Sequence, residues 1–269
     1  MAQRSQPTSR RNRLPQDPGS YSYARAVDAD LAFALELADV ADALSLPRFR
    51  AADLRVETKP DLTPVTDADR AVEHALRERI SAVRAGDGVL GEEEGDSGGA
   101  VRWILDPIDG TRNFSRGVPV WATLVALERD GAVTAAVVSA PALGRRWWAG
   151  RGAGAFADGE AIRVSRVSEL RDASVSCSRG RDLAAFESRV WHARGIGDFW
   201  QHMLVAEGAL EVAVDAELEL WDYAAVELIV AEAGGRVTAR DGSPPRPGRQ
   251  LVASNGLVHD EALALLGHR

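Results

Sequence analysis

Apolar residues recur at Val27, Leu31, Ala34, Ala38 and Ala41, a helical spacing that predicts an amphipathic helix from 27 to about Leu46, before Pro47. The 24 residues ahead of it mix Arg, Ser, Gln, Pro and Gly without period and read as a disordered basic tail. Residues 50–65 read as an extended, loop-like stretch. Thr66 then stands as an N-cap with Asp69 in the capping-box position, opening a helix through Val72, Leu76 and Ile80. Residues 86–100 are rich in Gly and Glu and read as a loop. The run Trp103 to Leu105 predicts a buried strand stopping at Asp106. Further strand-like runs follow over 119–127, 132–140, 146–149 and 161–165, with turns at Asp130-Gly131 and Asp158-Gly159, so this half reads as antiparallel. Beyond it the pattern alternates: strand 173–178, helix 198–207, strand 212–214, helix 222–232 ended by Gly234-Gly235, strands near Arg236 and Leu251, and a last helix from Leu257 or His259. That alternation predicts a β/α second half.

The chain of 269 residues is long enough for one large domain or two small ones. No apolar run approaches the roughly 20 residues of a membrane span, and the N-terminus does not resemble a secretory signal. A single cysteine, Cys177, leaves no intramolecular disulfide and fits a reducing cytoplasm. Net charge is −8 although the first 25 residues carry five Arg against one Asp, so the body is more acidic than the total. An acidic body disfavours nonspecific nucleic-acid binding and suits a protein that gathers carboxylates around metal ions. Lys59 is the one lysine among 32 basic residues.

The candidate chemistry centres on Asp106-Pro107-Ile108-Asp109-Gly110-Thr111. Two acids three positions apart, joined through a proline and released by a glycine, can converge on one point, where they repel unless a cation lies between them. The spacing of three excludes the Asp-x-Asp-Gly-Thr arrangement of haloacid-dehalogenase-type phosphatases. No P-loop and no paired-cysteine or His-Glu-x-x-His zinc pattern is present. An all-oxygen site needs further acids. Glu92 lies in a Gly-flanked loop, Asp222 at a predicted helix start, and Asp69 on the second helix; each also has a plain alternative as a solvated loop acid or a cap.

In order along the chain stand Lys59, Pro64-Val65-Thr66-Asp67-Ala68-Asp69, Gly91-Glu92-Glu93, the stretch 103–114, Trp221-Asp222-Tyr223-Ala224-Ala225 and Ala231-Glu232-Ala233-Gly234-Gly235. This series closely resembles the inositol-monophosphatase family of magnesium-dependent, lithium-sensitive phosphatases, from about residue 27 to the C-terminus. The resemblance implies an α/β fold of the sugar-phosphatase type, a layered αβαβα sandwich. A helix-plus-antiparallel-sheet half (25–165) would carry most metal-binding motifs, and a β/α half (166–269) the last ligand and the specificity residues. It implies two to three Mg²⁺ ions: Glu92, Asp106 and the carbonyl of Ile108 for the first, Asp106, Asp109 and Asp222 for the second, and Glu92 with waters for a weaker third. A metal-activated water would be oriented by Thr111 and Glu92 with help from Asp69. The phosphate would meet the N–H groups of Gly110 and Thr111. Lys59 resembles the lysine of a mobile loop beside the metals. A cytoplasmic homodimer acting on a small phosphate monoester, with no membrane partner, is also implied.

Specificity falls to the second half. Arg194-Gly195-Ile196-Gly197-Asp198-Phe199 puts an acid where many inositol-type members carry a small residue, favouring a cationic leaving group by Coulomb attraction. With Leu204-Val205-Ala206-Glu207-Gly208 and Ser139-Ala140-Pro141 ahead of Arg145-Arg146-Trp147-Trp148, the chain looks like the histidinol-phosphatase members of the family. Asp198 would pair with the substrate ammonium and Arg194 would support the phosphate or Asp198. Trp147 and Trp148 read as core or dimer-contact residues, with a pocket wall as the alternative, and Asn255 and His259 as pocket or interface residues. The alternatives are an inositol-1-phosphatase or broad sugar phosphatase and, from another class, a regulatory RNA- or transcription-associated binding protein on the same fold.

Overall fold

The computed structural model describes residues 18–60 and 62–267, with side chains from residue 29 onward. Helix α1 (Pro18–Arg48) starts earlier than its apolar period indicates, so residues 18–24, expected to be tail, have helical backbone; residues 1–17 lie outside the described residues. It also runs past Leu46 and holds Pro47 in its last turn. The helix persists because Phe49 N–H still reaches the Ser45 carbonyl at 3.1 Å and Arg48 is tied to Asp53 and Asp67. Helix α2 (Asp67–Val83) opens on the capping box expected at Thr66 and Asp69.

Strands β1 (Val56–Thr58) and β2 (Pro64–Thr66) form a two-stranded ribbon ahead of α2. The Gly/Glu-rich stretch, expected as loop, contains β3 (Gly88–Gly91) and the short β4 (Gly95–Asp96), a tight hairpin. Strand β5 (Val101–Asp109) does not stop at Asp106. It continues through an irregularity between Asp106 and Asp109, where Pro107 lacks a ladder donor, Asp106 Oδ1 accepts from Ile108 N–H at 3.0 Å and Thr123 Oγ1 donates to the Pro107 carbonyl at 2.8 Å.

After the short helix α3 (Thr111–Ser115) the chain weaves β6 (Ala122–Arg129), β7 (Ala132–Ala140), β8 (Arg145–Gly150), β9 (Gly154–Ala157) and β10 (Glu160–Ala161). With β3, β4 and β5 they make an eight-stranded sheet, antiparallel apart from the β3–β5 pair. Asp130 and Asp158 adopt φ near +50° beside Gly131 and Gly159, the hairpin-turn chemistry expected there. The strand expected over 161–165 is mostly irregular, and β9 takes its place in the sheet.

The second sheet has the order β12-β11-β13-β15-β14, from β11 (Ser174–Cys177), β12 (His192–Arg194), β13 (Val212–Leu218), β14 (Arg236–Ala239) and β15 (Arg249–Ser254). Its β12–β11–β13 part is parallel and the rest antiparallel. Between the sheets lie α5 (Asp198–Ala206) and α6 (Leu220–Glu232), and outside the second sheet α4 (Gly180–Phe186) and α7 (His259–Leu266).

The layers are therefore α1/α2, eight-stranded sheet, α5/α6, five-stranded sheet, α4/α7: the αβαβα sandwich. Strand sequences explain it. On β6, Leu124 and Ala126 face α6 while Val125 and Leu127 face α1 and α2, so both faces are apolar and the run is continuous. Helix α6 lies between two sheets and buries Ala224, Ala225, Val226, Leu228, Ile229 and Val230 all round its axis. A small cluster of Ala68, Ile108, Phe114 and Trp121, with the last two rings edge-on at 4.9 Å, forms the floor beneath the turn that follows β5.

Candidate active site

The turn after β5 opens into a cleft of about 250 Å³ lined by Glu92, Asp106, Asp109, Thr111, Asp198 and Asp222, together with Thr63, Pro64, Ile108, Gly110 and Arg112. A larger concavity of about 480 Å³, between α4, α7 and the β14–β15 edge, is far richer in arginine and gathers no comparable acid triad. The chemistry belongs to the smaller one.

Three elements supply the acids. Asp106 comes from within β5 and is buried; Asp109 ends that strand; Asp222 occupies the third position of α6. Ligand oxygens of all three lie within 4.8 Å of one another. Burial, then the charge of Glu92 and of Asp109, pushes the Asp106 carboxyl well above its ordinary range; burial, then Asp198, does the same to Asp109. Burial above all lifts Asp222 to about 7. Among the described residues no lysine or arginine forms an ion pair with any of the three. Acids packed this way need a partner, and a set of hard carboxylate oxygens beside a backbone carbonyl fits a small divalent cation such as Mg²⁺.

Each acid is oriented. Asp106 bonds back to Ile108 N–H, and Asp109 Oδ2 accepts from Phe199 N–H at 2.7 Å, so the first turn of α5 fixes it. Asp222 Oδ2 accepts from Glu219 N–H at 2.7 Å. Its role as a cap therefore coexists with a place in the cleft.

Asp69 lies behind the cleft lining, joined to it through Thr111. Its Oδ2 takes Thr66 N–H at 2.9 Å and the Thr66 hydroxyl at 2.5 Å, the capping box, while its Oδ1 lies 3.1 Å from the Thr111 hydroxyl. Thr111 Oγ1 is also 2.9 Å from the Ile108 carbonyl. Asp69 is fully buried, and burial raises its pKa against the pull of these donors. Gly110 sits at φ +81°, where a Cβ would meet the Val120 carbonyl at 3.0 Å, so the turn needs glycine.

Glu92 reaches the cleft from the β3–β4 hairpin, its pKa raised by burial more than Lys59 lowers it. Lys59, on the loop between β1 and β2, donates to Glu92 Oε1 at 2.8 Å and Glu93 Oε1 at 2.5 Å. Burial opposes the ammonium, but the two carboxylates outweigh it and hold the Lys59 pKa above its usual value.

Asp198 lines the cleft as expected, from a strained backbone with φ +51°. Burial, then the nearby Asp215 charge, lifts its carboxyl to about 6, against the pull of Arg112 and the Asn113 amide, which donates to Oδ2 at 2.8 Å. Arg194 is not brought there: it is exposed on the edge strand β12 and absent from the cleft lining. Arg112, quoted within the central motif but given no role, supplies the cation. Trp147 is buried in the core and Trp148 stacks on Phe156, so neither walls the cleft. Asn255 and His259 are buried within the chain, Asn255 holding the 165–167 segment and His259 set between Thr238 and Ser254.

Sequence reasoning passed over Asn113, Asp215 and Glu73. Asp215 is buried and takes Gln201 Nε2 at 2.9 Å, with His202 Nε2 at 3.2 Å, behind Asp198. Glu73 carried a legible signal, an acid on the same helix face as Asp69, Leu76 and Ile80.

A histidinol-phosphatase of Mycobacterium tuberculosis is 52% identical over 254 residues, covering 88% of this chain and 97% of that protein. One of Streptomyces coelicolor is 48% identical over 262 residues, covering 89% and 97%. Among solved structures, the Thermotoga maritima IMPase superposes with a TM-score of 0.83 at 32% identity, covering 88% of this chain and 96% of that one. Residues 27–267 match the family model of the inositol monophosphatases, and the chain belongs to the inositol monophosphatase family.

Proposed function

We propose that this phosphate monoester hydrolase is a Mg²⁺-dependent histidinol-phosphatase, converting L-histidinol phosphate and water to L-histidinol and phosphate. The observation that carries the substrate choice is Asp198, an acid in the cleft wall beside the acid triad, joined to the likeness to curated histidinol-phosphatases over most of the chain. A neutral polyol offers such an acid nothing that a small polar residue would not, whereas an ammonium gains a charge-assisted hydrogen bond.

In this reading Glu92, Asp106, the Ile108 carbonyl, Asp109 and Asp222 hold two to three Mg²⁺ ions. Bound there, Mg²⁺ supplies Lewis acidity, which screens phosphoryl charge and makes water more acidic. Thr111, its hydroxyl shared between Asp69 and the Ile108 carbonyl, orients the attacking water together with Glu92. Gly110 and Thr111 offer backbone N–H groups to the phosphate, with Arg112 at the cleft edge adding charge. Asp198, held by Asn113, receives the substrate ammonium. Lys59 steadies Glu92. Residues 25–165 thereby supply most of the cation ligands, and 166–269 the last of them, Asp222, together with the residues that select the leaving group. The protein works as a cytoplasmic homodimer and is inhibited by lithium.

The test is a panel of phosphate monoesters with Mg²⁺, with and without lithium. L-Histidinol phosphate is expected to give the highest kcat/KM, by at least about tenfold over inositol 1-phosphate, which corresponds to about 1.4 kcal/mol in the transition state. A preference for inositol 1-phosphate assigns the chain to the inositol-phosphatase branch instead. Phosphate release that survives chelation removes the metal mechanism altogether.

A further inference from the structure

Glu73 is a fully buried acid on α2 that the proposed chemistry leaves unused. Both its oxygens are spent on the turn joining β3 to β4. Glu93 N–H donates to Oε2 at 2.7 Å and Glu94 N–H to Oε1 at 2.9 Å. Arg77, one helical turn on, donates from Nε to Glu73 Oε1 at 2.9 Å and from its guanidinium to the Gly95 carbonyl at 2.5 Å. Three consecutive residues of the turn are thus gripped through their backbone. Gly91 lies flush against the same carboxylate: a Cβ there would stand 2.1 Å from Oε1, so the approach requires glycine.

A buried carboxylate is costly unless its hydrogen bonds are complete, and here they are spent on a surface hairpin rather than on the core. What that hairpin carries is Glu92. With the backbone of the next three residues held from the α2 side, the Glu92 side chain is left facing the cleft, where Lys59 meets it from the opposite side.

We propose that Glu73, seconded by Arg77, is a positioning residue that clamps the β3–β4 turn and so places the Glu92 carboxylate for divalent-cation binding. The clamp sets cation affinity without touching the cation. It rests on the proposed reading of Glu92 as a ligand, and the test separates the two ideas.

Titration calorimetry with Mg²⁺ alone, on the full chain without substrate, compares the wild type with Glu92→Gln, Glu73→Gln and Arg77→Gln, each also melted in EDTA. The Glu73→Gln change keeps shape but removes the charge and turns an NH₂ towards backbone donors. It is expected to weaken Mg²⁺ binding by roughly 10–100-fold, the range for groups that orient metal ligands. Arg77→Gln is expected to weaken it in the same direction, by about tenfold at the low end of that range. The Mg²⁺ concentration for half-maximal activity should rise by matching factors, with kcat at saturating Mg²⁺ changed far less. A Glu73→Gln protein that melts cooperatively and binds Mg²⁺ like the wild type overturns the clamp. Should that variant not fold, unchanged affinity in Arg77→Gln overturns it. Wild-type affinity in Glu92→Gln overturns the ligand reading, and the clamp with it; weakened binding in Glu92→Gln alone overturns only the clamp.

Discussion

The backbone N–H of Phe199 donates to Oδ2 of Asp109 at 2.7 Å, across ninety positions of the chain. That bond ties the first turn of α5, between the two sheets, to the end of β5 in the eight-stranded sheet. The residue just before Phe199 is Asp198, so the same turn that orients an acid of the triad presents the acid proposed to select the leaving group. The acid triad and Asp198 are thus held by one turn, and that shared hold supports a φ of +51° at Asp198.

Asp198→Asn tests the selecting role cleanly. Asparagine is among the residues most at home at positive φ, and the Asn113 amide retains an oxygen to donate to, so the fold should survive. Losing a charged hydrogen bond to the substrate ammonium costs roughly 1.5–3 kcal/mol, about 10–100-fold in kcat/KM for L-histidinol phosphate. Steady-state kinetics should show inositol 1-phosphate changed by less than about threefold on the same scale. Equal losses for both substrates would mean that Asp198 only supports the turn.

Thr111 offers a second, independent probe. Its hydroxyl stands between Asp69 Oδ1 and the Ile108 carbonyl, two acceptors that compete for one proton. Thr111→Val keeps the shape and removes the donor, and kcat should fall roughly a hundredfold or more, as for loss of a group that positions or relays a proton. Thr111→Ser restores the hydroxyl and should stay within about tenfold of the wild type. A valine variant with wild-type kcat ends the proposed water-positioning role.

Much of this site was legible because its chemistry is local in sequence. Asp106, Asp109, Gly110 and Thr111 fall within one turn, and the Pro107 and Gly110 that shape it are visible as residues. Asp69 and Asp222 read ambiguously because a carboxylate has two oxygens: Asp222 caps α6 and also lines the cleft, while Asp69 caps α2 with one oxygen and takes the Thr111 hydroxyl with the other. Strand β5 outruns its apolar run, which ends at Asp106, because Asp106 and Thr123 side chains satisfy the backbone around Pro107 and let the strand continue. The short elements β3, β4, α4 and β12, of two to seven residues, are too brief to show a period. Sequence reading puts Arg194, and not Arg112, near Asp198, because which arginine approaches Asp198 depends on how α5 docks on β5, which spacing does not show. The antiparallel first half and the β/α second half were legible in the order of strand and helix runs, whereas the layering was implied by the family resemblance.

Removing one acid from the triad should stabilise the metal-free protein while disabling it. Asp106, Asp109 and Asp222 repel one another in a partly dry cleft, and burial adds to the cost. Asp109→Asn keeps an oxygen for Phe199 N–H and removes one charge. In EDTA its Tm should rise by about 2–4 °C, the shift expected for about 1 kcal/mol in a chain of this size. The Mg²⁺-dependent rise in Tm seen for the wild type should shrink or vanish, because that rise is ligand binding to the folded state. Activity should fall at least about a hundredfold. A lower Tm in EDTA would show that the acids are held by contacts stronger than their repulsion.

The last prediction lies away from the cleft, at His259, which opens α7 fully buried with its ring nitrogens 2.9 Å from Thr238 Oγ1 and 2.8 Å from Ser254 Oγ. Burial, then the Arg236 charge, lowers its pKa from 6.5 to about 4, with Asp260 opposing. The folded state thus favours the neutral ring. Above pH 6.5 neither state binds the proton and the stabilisation is whole; as pH falls from 6.5 towards 4 the unfolded chain takes up a proton that the folded one refuses, and stability drops. Integrated over that window the loss is about 3 kcal/mol. His259→Gln removes the titration while keeping a donor and an acceptor, so the wild type should exceed it in stability at pH 7 and lose most of that margin by pH 4. Denaturant melts of both proteins at the two pH values, in EDTA, measure the margin directly, and a gap that stays constant with pH would mean the ring protonates without leaving its place.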